Sequence, residues 1–376
     1  MIAARQTGTV ASARAGDDTG HELRVAYTVE QCWHPVPGGT AIAALRIARE
    51  LAARGDVRLQ YVAGRHPHPP APSYRPVGSV AMLPLARPLL YEAWVRLRWP
   101  KVESVTGSVD VVHATGLIPA ATSHPLVVTV HDLAFLHRPE LFTRHGARLM
   151  TRSLAAIRSR ADLVISSSAA TTNDCVEAGI DAGRIRHVPL GVDIAAASPA
   201  DVDRVRTKYR LPREFVLFVG TLEPRKNLSR LMAAVDQLAT LPLVVVGMDG
   251  WGDQSELATS DALLLGFVPD GDLAPLYAAA TIFAYPSERE GFGLPVLEAF
   301  AQGTAVVTSR GTSTEEVAGG AAVLVDPFDV GSIVDGLQRA LVDAVALGER
   351  GRARAGEMSW STAAARTADV YRELAR

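Results

Sequence analysis

Two Rossmann-like α/β domains facing each other across a central cleft are the fold class that this sequence predicts. Three observations lead there. Continuous apolar, β-branched runs alternate with helical stretches along the chain, the pattern of parallel sheets covered on both faces. Six such runs fall in each half. Between the halves lies GVDIAAASPAD (191–201), small, polar and poor in large apolar residues, as a linker is. The 376 residues are enough for about two domains of ordinary size.

In the first half the expected strands are VAYTV (25–29), VRLQYV (57–62), VDVVHA (109–114), LVVTVH (126–131), DLVISS (162–167) and IRHVPL (185–190). After the first strand, PVPGGTAIAALRIARELAARG (35–55) reads as a helix opened by Gly38 and Gly39, with Ile42, Leu45, Ala48 and Ala52 as its buried stripe. The glycines do not form a GxGxxG, so a dinucleotide cofactor is not indicated. The proline-rich stretch RHPHPPAPSYRP (65–76) is a surface loop, since it suits neither a helix nor a central strand. In the second half the strands are FVLFVG (215–220), LVVVG (243–247), ALLLGF (262–267), TIFAYP (281–286), AVVTS (305–309) and AAVLVD (321–326). The closing stretch, MSWSTAAARTADVYREL (358–374), reads as an amphipathic helix anchored by Trp360, Val370 and Tyr371. The organisation is therefore a loose tail over 1–20, domains over 21–197 and 198–357, and a helix over 358–376 expected to pack back on the first domain. Sites in such sheets lie beyond the C-terminal ends of the strands.

Composition narrows the function classes. Apolar residues at 48% and charged residues at 21% fit a soluble protein with filled cores. No uninterrupted apolar run is long enough to span a bilayer. The first twenty residues lack a hydrophobic h-region, so they read as a tail and not as a signal peptide. Cys32 and Cys175 stand far apart without CxxC spacing, which points to a reducing, cytoplasmic compartment and to no thiolate metal site. The net charge of −2 argues against general nucleic-acid binding. Residues 1–200 carry +5 and residues 201–376 carry −7, so the halves are expected to meet different partners.

The chemistry concentrates in EREGFGLPVLEAF (288–300). Pro295 suits the first turn of a helix, where its missing N–H is not needed. A helix starting at about Leu294 puts Glu298 in its first turn and leaves Glu290 on the preceding loop, at the C-terminal end of a strand. Gly291 and Gly293 let the backbone approach a ligand, and the N–H groups of Phe292, Gly293 and Leu294 stay free for an anion or a sugar hydroxyl. Carboxylates accept paired hydrogen bonds from vicinal hydroxyls. A purely structural Glu298 would complement the helix dipole, worth ~0.3–1 kcal/mol, but that leaves Glu290 unexplained.

PSEREGFGLPVLEAFAQGTAVVTS resembles the signature of the retaining glycosyltransferases of family 4, which have the GT-B fold. VGTLEPRKNL (219–228), GFVPDGDLAPLYAAATIFAYPS (266–287) and STEEVAGGAAVLVDP (313–327) are similar to the rest of that family's second half. The resemblance implies a sugar nucleotide donor held by the C-terminal domain, an acceptor held by the N-terminal one, and net retention at the anomeric carbon. It implies that Glu298 binds the ribose hydroxyls. Glu290, with the amides of Phe292, Gly293 and Leu294, would hold the donor hexose and the adjacent phosphate oxygens.

Arg225 and Lys226 follow the first strand of the second half and are expected at the cleft, where positive charge stabilises a departing diphosphate. The alternative, a solvated basic pair at a helix start, is disfavoured by the helix dipole. Family members often carry an arginine directly after the strand's glycine. Here Thr221 stands in that part of the donor site, with Arg225 expected to supply the second phosphate contact. Val268 is expected near the donor base. Gly38 and Gly39 resemble glycines that face the donor phosphates from the opposite domain. His131 ends the strand in VTVHDLAFLHRPELF, where the family often has a histidine near the donor sugar. His137 is given no role, for want of metal-ligand spacing, and His113 is placed on the acceptor side.

Asp201-Val-Asp203 and Asp270-Gly-Asp272 resemble metal-binding Asp-x-Asp pairs, but GT-B enzymes generally work without a bound metal. Both pairs are read as structural or solvated, at the linker and in a turn. RPLLYEAWVRLRWPK (87–101) spaces Leu90, Trp94 and Leu97 helically among Arg87, Arg96, Arg98 and Lys101. Two readings stay open for it: peripheral contact with an anionic membrane at its inner face, or packing on the sheet with a solvated basic face. The second is favoured, because amphipathic helices are common in α/β domains.

The expected function is hexose transfer from a sugar nucleotide to a glycan or lipid-linked acceptor in cell-surface polysaccharide synthesis, without cofactor or metal. HDLAFLHRPELF and VGTLEPRKN resemble bacterial mannosyltransferases, so mannose from GDP-mannose is the favoured donor. The alternatives are a UDP-sugar-dependent glucosyl- or galactosyltransferase, a GT-B sugar nucleotide epimerase, and a non-catalytic nucleotide-sugar-binding subunit.

Overall fold

The computed structural model describes residues 22–193, 195–247 and 261–375, apart from the side chain of Leu141. The tail expected over 1–20 lies outside them. Thirteen described strands form two parallel sheets. In the first, β1 (Leu23–Thr28), β2 (Val57–Ala63), β3 (Val80–Met82), β4 (Val111–Ala114), β5 (Leu126–Val130), β6 (Leu163–Ser166) and β7 (Ile185–His187) run in the order β3-β2-β1-β4-β5-β6-β7. In the second, β8 (Val216–Val219), β9 (Leu243–Val246), β10 (Leu263–Gly266), β11 (Ile282–Tyr285), β12 (Ala305–Ser309) and β13 (Val323–Val325) run in the order β10-β9-β8-β11-β12-β13.

The central strands of both sheets are buried on two faces, which is why they read as largely apolar runs. In β1, Val25 and Tyr27 enter one hydrophobic cluster and Ala26 the other. The first sheet has seven strands where six were expected. The missed strand, β3, is three residues long and follows the proline-rich loop, too short for alternation or an apolar run to show.

The helix Gly38–Arg54 buries Ala41, Ala43, Ala44, Ile47, Ala48 and Leu51 rather than the expected stripe, of which only Ala48 is fully covered. The closing helix, Trp360–Leu374, packs along it, so small alanines on that side become core. Val192 and Ser359 form an isolated parallel bridge, so the chain's two crossings between the halves run side by side.

The strand order reverses between β1 and β4 in the first sheet and between β8 and β11 in the second. Such reversals open a crevice at the strands' C-terminal ends. Gly38 and Gly39 follow β1, Thr221 to Lys226 follow β8, and Glu290 follows β11. These sequence-derived candidates thus stand at the two crevices.

Candidate active site

The loop after β11 is shaped by its glycines. Gly293 is the N-cap of the helix Leu294–Gln302 and has a φ of 115°, in the left-handed region. Gly291 makes a closer approach: a Cβ there would lie 2.2 Å from the carbonyl oxygen of His131, so a side chain would push the halves apart. Among the described residues, the N–H groups of Phe292, Gly293 and Leu294 enter no backbone hydrogen bond, leaving donors at a helix start.

Glu290 is held on both carboxylate oxygens. Oε1 accepts from Lys226 Nζ at 2.6 Å, Ser287 Oγ at 2.7 Å and the Tyr285 hydroxyl at 3.0 Å, while Oε2 accepts from Arg225 Nη1 at 3.1 Å. Lys226 also donates to the Tyr285 hydroxyl. Burial works to raise the Glu290 carboxyl, but the charges of Lys226 and Arg225 outweigh it and hold the group at about 2. Burial lowers the Lys226 ammonium, and Arg225 adds to that effect against the pull of Glu290. For Arg225, burial works downward but Glu290, Glu223 and Asp132 raise it overall. The Lys226 side chain is only 9% exposed, which removes the reading of a solvated basic pair.

The basic pair occupies a single 3-10 turn, Pro224–Lys226, and not the α-helix itself, which begins at Leu228. Asn227 joins the two at a φ of 63°, a left-handed conformation that asparagine tolerates. Its Nδ2 donates to the carbonyls of Pro286 at 2.9 Å and Pro327 at 2.6 Å, which ties the turn to the start of the Glu290 loop. Thr221 Oγ1 donates to Glu223 Oε1 at 2.6 Å, and Arg225 Nε donates to Glu223 Oε2 at 2.8 Å. Thr221 therefore reaches Arg225 through a buried carboxylate.

Glu298 is the fifth residue of its helix, beyond the first turn where it was expected. The difference weakens a dipole role, because that effect fades within one turn. The Tyr277 hydroxyl donates to Glu298 Oε2 at 2.9 Å. Burial raises the Glu298 carboxyl; Tyr277 and Arg46 oppose, while Asp270 and Asp193 add to the rise. Arg46 comes from the first half and pairs with Asp193 at 2.9 Å.

Other parts of the first half reach the same loop. A Cβ on Gly39 would stand 3.5 Å from Leu294 Cδ1, so two helix starts meet there. Gly38 begins its helix in the left-handed region, at a φ of 59°. His131 Nε2 lies 3.2 Å from the carbonyl of Thr115. A carbonyl only accepts, so Nε2 carries the proton and Nδ1 is left as the acceptor. Burial lowers this imidazole, although the Thr115 carbonyl and Asp132 oppose the shift.

Four readings need correction. Val268 is packed in the hydrophobic core at 3% exposure, so its side chain offers no surface to a ligand. His113 is buried, with Nδ1 2.7 Å from the Tyr371 hydroxyl and Nε2 2.7 Å from Thr129 Oγ1, and does not line an acceptor surface. The acidic pairs lie in helices, not in a linker and a turn: Asp201 and Asp203 in Pro199–Tyr209, and Asp270 and Asp272 in Asp270–Ala279, where Asp272 is ion-paired with Arg204 and Lys208. In the segment 87–101, Leu90 and Trp94 are buried as expected, but Leu97 lies beyond the helix end and is 72% exposed, with Trp99 at 53%.

Sequence reasoning missed Tyr285, Ser287, Glu223 and Tyr277, the neighbours that hold the two glutamates. Tyr285 and Ser287 flank Pro286 directly before the motif, which was the available signal. Glu223 and Tyr277 carried none, since only the folded turn and the adjoining helix bring them to their partners. His137, given no role, lies 3.1 Å from Asp174 Oδ1. Among the described residues, no group of three or more His, Cys, Asp or Glu side chains is arranged to hold a metal ion. No described helix is long and apolar enough to cross a membrane.

Residues 37–196 match the family described as "Glycosyltransferase Family 4", and residues 201–356 match "Glycosyl transferases group 1". The O-antigen chain mannosyltransferase B of Escherichia coli is 36% identical over 268 residues, spanning 66% of this chain and 70% of that protein. The chain belongs to glycosyltransferase family 4. It is a glycosyltransferase, and the family implies a sugar nucleotide donor. Another relative is the MMP alpha-(1->4)-mannosyltransferase of Mycolicibacterium hassiacum, 32% identical over 70% of this chain and 71% of that protein. The D-inositol 3-phosphate glycosyltransferase of Acidothermus cellulolyticus is 31% identical over 81% of this chain and 80% of that one. Among solved structures, Anabaena HepE in complex with UDP and glucose superposes with a TM-score of 0.71 at 20% identity, covering 93% of this chain and all of that one. WaaG, a glycosyltransferase involved in lipopolysaccharide biosynthesis, gives a TM-score of 0.68 at 21% identity over 92% of this chain and 98% of that one. Both likenesses establish the GT-B fold.

Proposed function

We propose that this family 4 member transfers mannose from GDP-mannose, with retention at the anomeric carbon, to a glycan or lipid-linked acceptor in cell-surface polysaccharide synthesis. Residues 198–357 are the donor half and residues 21–197 the acceptor half. The observation that carries the reading is the buried cluster of Lys226, Arg225 and Glu290 beside free helix-start amides at the second crevice. Lys226 and Arg225 neutralise the diphosphate as the bond from the sugar's C1 to the phosphate oxygen breaks, so no divalent ion is required. Glu290 orients the hexose, and the acceptor hydroxyl bonds to C1 on the face that the diphosphate leaves, its proton passing to the departing diphosphate oxygen. His131, a neutral imidazole at the strand end, borders the sugar. Glu298 takes the ribose hydroxyls, with Thr221 supporting the phosphate contact through Glu223.

Mannose is favoured over glucose or galactose from UDP by the mannosyltransferases among the relatives. An epimerase or a silent binding subunit would have little use for an intact Lys226–Glu290 cluster facing the acceptor half. A second reading concerns place of work. The exposed Leu97 and Trp99 stand beside Arg96, Arg98 and Lys101, which favours a peripheral contact with an anionic membrane surface at the cytoplasmic face. Sedimentation with anionic against neutral vesicles tests it, and equal pelleting removes it.

The function is tested by nuclear magnetic resonance of the product formed from GDP-mannose and a mannoside acceptor panel in the presence of chelator. An α-linked product is expected. A β-linked product, transfer only from UDP-sugars, or complete dependence on a divalent ion would overturn the corresponding part of the reading.

A further inference from the structure

Glu288 and Arg289 stand immediately before Glu290, and both pair with the N-terminal half. Arg138 Nη1 donates to Glu288 Oε2 at 2.5 Å, while Arg230 Nη1 of the second half donates to Oε1 at 2.9 Å. One carboxylate thus bridges the halves. Arg289 Nη2 donates to both carboxylate oxygens of Asp174 and lies 2.7 Å from His137 Nε2. On the far side of Glu290, the carbonyl of Gly291 accepts from Ser168 Oγ at 2.7 Å and from Ser167 Oγ and Thr171 Oγ1 at 3.2 Å. The loop is therefore gripped on both sides of its central carboxylate.

We infer that Arg138 and Asp174 are positioning residues: acting through Glu288 and Arg289, they form a charged clasp that holds the cleft closed and sets the Glu290 loop against the acceptor half. The carboxylates are the sheltered members, with 10% of the Asp174 side chain and 12% of the Glu288 side chain exposed. Sheltering makes the pairs stronger than open surface pairs, which contribute little. The arginines are 32% and 42% exposed, so salt reaches the clasp. A contact made of charge opens without baring an apolar face, and the paired crossings at Val192 and Ser359 supply adjacent points for the halves to turn about. The clasp lets the closed state form and release in each turnover. In its kinetic consequence the inference rests on the transferase reading.

The test uses the full chain carrying Arg138→Gln and Asp174→Asn, both on the half that does not carry Glu290. Without donor, small-angle scattering at low salt should give the variant a larger radius than wild type. Wild type should reach the variant's radius at about 1 M salt, where the screening length falls to about 3 Å. Affinity for GDP should stay within about twofold, while turnover of GDP-mannose falls about tenfold or more through misplacement of the Glu290 loop. The conservative pair Arg138→Lys and Asp174→Glu should recover most of the turnover. Equal radii at both salt concentrations would overturn the clasp, as would GDP affinity falling in step with turnover, which marks a general structural role. Scattering needs neither donor nor activity, so it decides the clasp even where the transferase reading fails.

Discussion

Lys226 and Glu290 lie 2.6 Å apart, nitrogen to oxygen, although 64 residues separate them in the chain. Each makes the burial of the other tolerable, and Tyr285, Ser287 and Arg225 fill most of the remaining hydrogen-bond positions. Removing either partner of such a pair leaves a charge in poor surroundings, which is the costly direction of change. The pair also presets the site. In the proposed reaction the ammonium meets the departing diphosphate, and the carboxylate is already fixed by four donors, so little reorganisation remains for the reaction itself.

Lys226→Ala should lower turnover about 10²–10³-fold, the usual cost of losing one electrostatic partner of a developing charge. Arg225 remains to pair with Glu290, so the variant should fold. Circular dichroism and a donor-turnover assay on one preparation check both statements, and near-normal turnover would remove Lys226 from the mechanism.

The two glutamates should fail differently. Glu298→Gln should weaken free GDP and intact donor alike, because both carry the ribose. A lost charged hydrogen bond is worth about 1.5–3 kcal/mol, on the order of tenfold to a hundredfold in Kd. Glu290→Gln should mainly impair the intact donor. Equal loss of free GDP in both variants would contradict this division of labour.

Their pH signatures should be opposite. The Glu290 carboxyl sits at about 2 in the folded chain against an ordinary 4.5, so its stabilisation is full above the ordinary value and is lost as pH falls toward 2. The gap in melting temperature between wild type and Glu290→Gln should hold at neutral pH and narrow through that window. The Glu298 carboxyl is raised by burial, so folding stability falls as pH rises past its ordinary value. Glu298→Gln should therefore be at least as stable as wild type at neutral pH while binding nucleotide worse. A Glu298→Gln variant clearly less stable than wild type would show that the carboxylate is structural.

Gly39 tests the meeting of the halves. Its Cβ position lies 3.5 Å from Leu294 Cδ1, an ordinary contact, so Gly39→Ala should be mild. The branched side chain of Gly39→Val reaches further and should lower turnover more than it lowers GDP affinity. Parallel losses in the two measurements would place the damage in folding instead.

Much of the fold was legible because parallel strands buried on two faces are apolar throughout, as Leu243 to Val246 and Ile282 to Tyr285 are. The site was legible where one short segment carried it: Glu290, the turn glycines, Pro295 and Glu298 are near neighbours in sequence. The partners of that segment were not. Asp174 meets Arg289 across 115 residues, and no local pattern announces an ion pair formed between two domains. Glu223 escaped for a different reason. Its role depends on the 3-10 turn at Pro224–Lys226, where an α-helix had been expected to open. The buried stripe of Gly38–Arg54 was misassigned because the closing helix, more than 300 residues away, covers a side that periodicity alone assigns to solvent.

The central claim is that the crevice after β8 and β11 holds a guanosine-linked mannosyl donor through Lys226, Arg225, Glu290 and Glu298. Titration calorimetry of wild type and Glu290→Gln against GDP-mannose, GDP, UDP-glucose and UDP tests it most directly. The expected result is that wild type binds GDP-mannose more tightly than either uridine ligand, and that Glu290→Gln loses the margin of GDP-mannose over GDP while still binding GDP. Preference for UDP-glucose, or a margin untouched by Glu290→Gln, would contradict it.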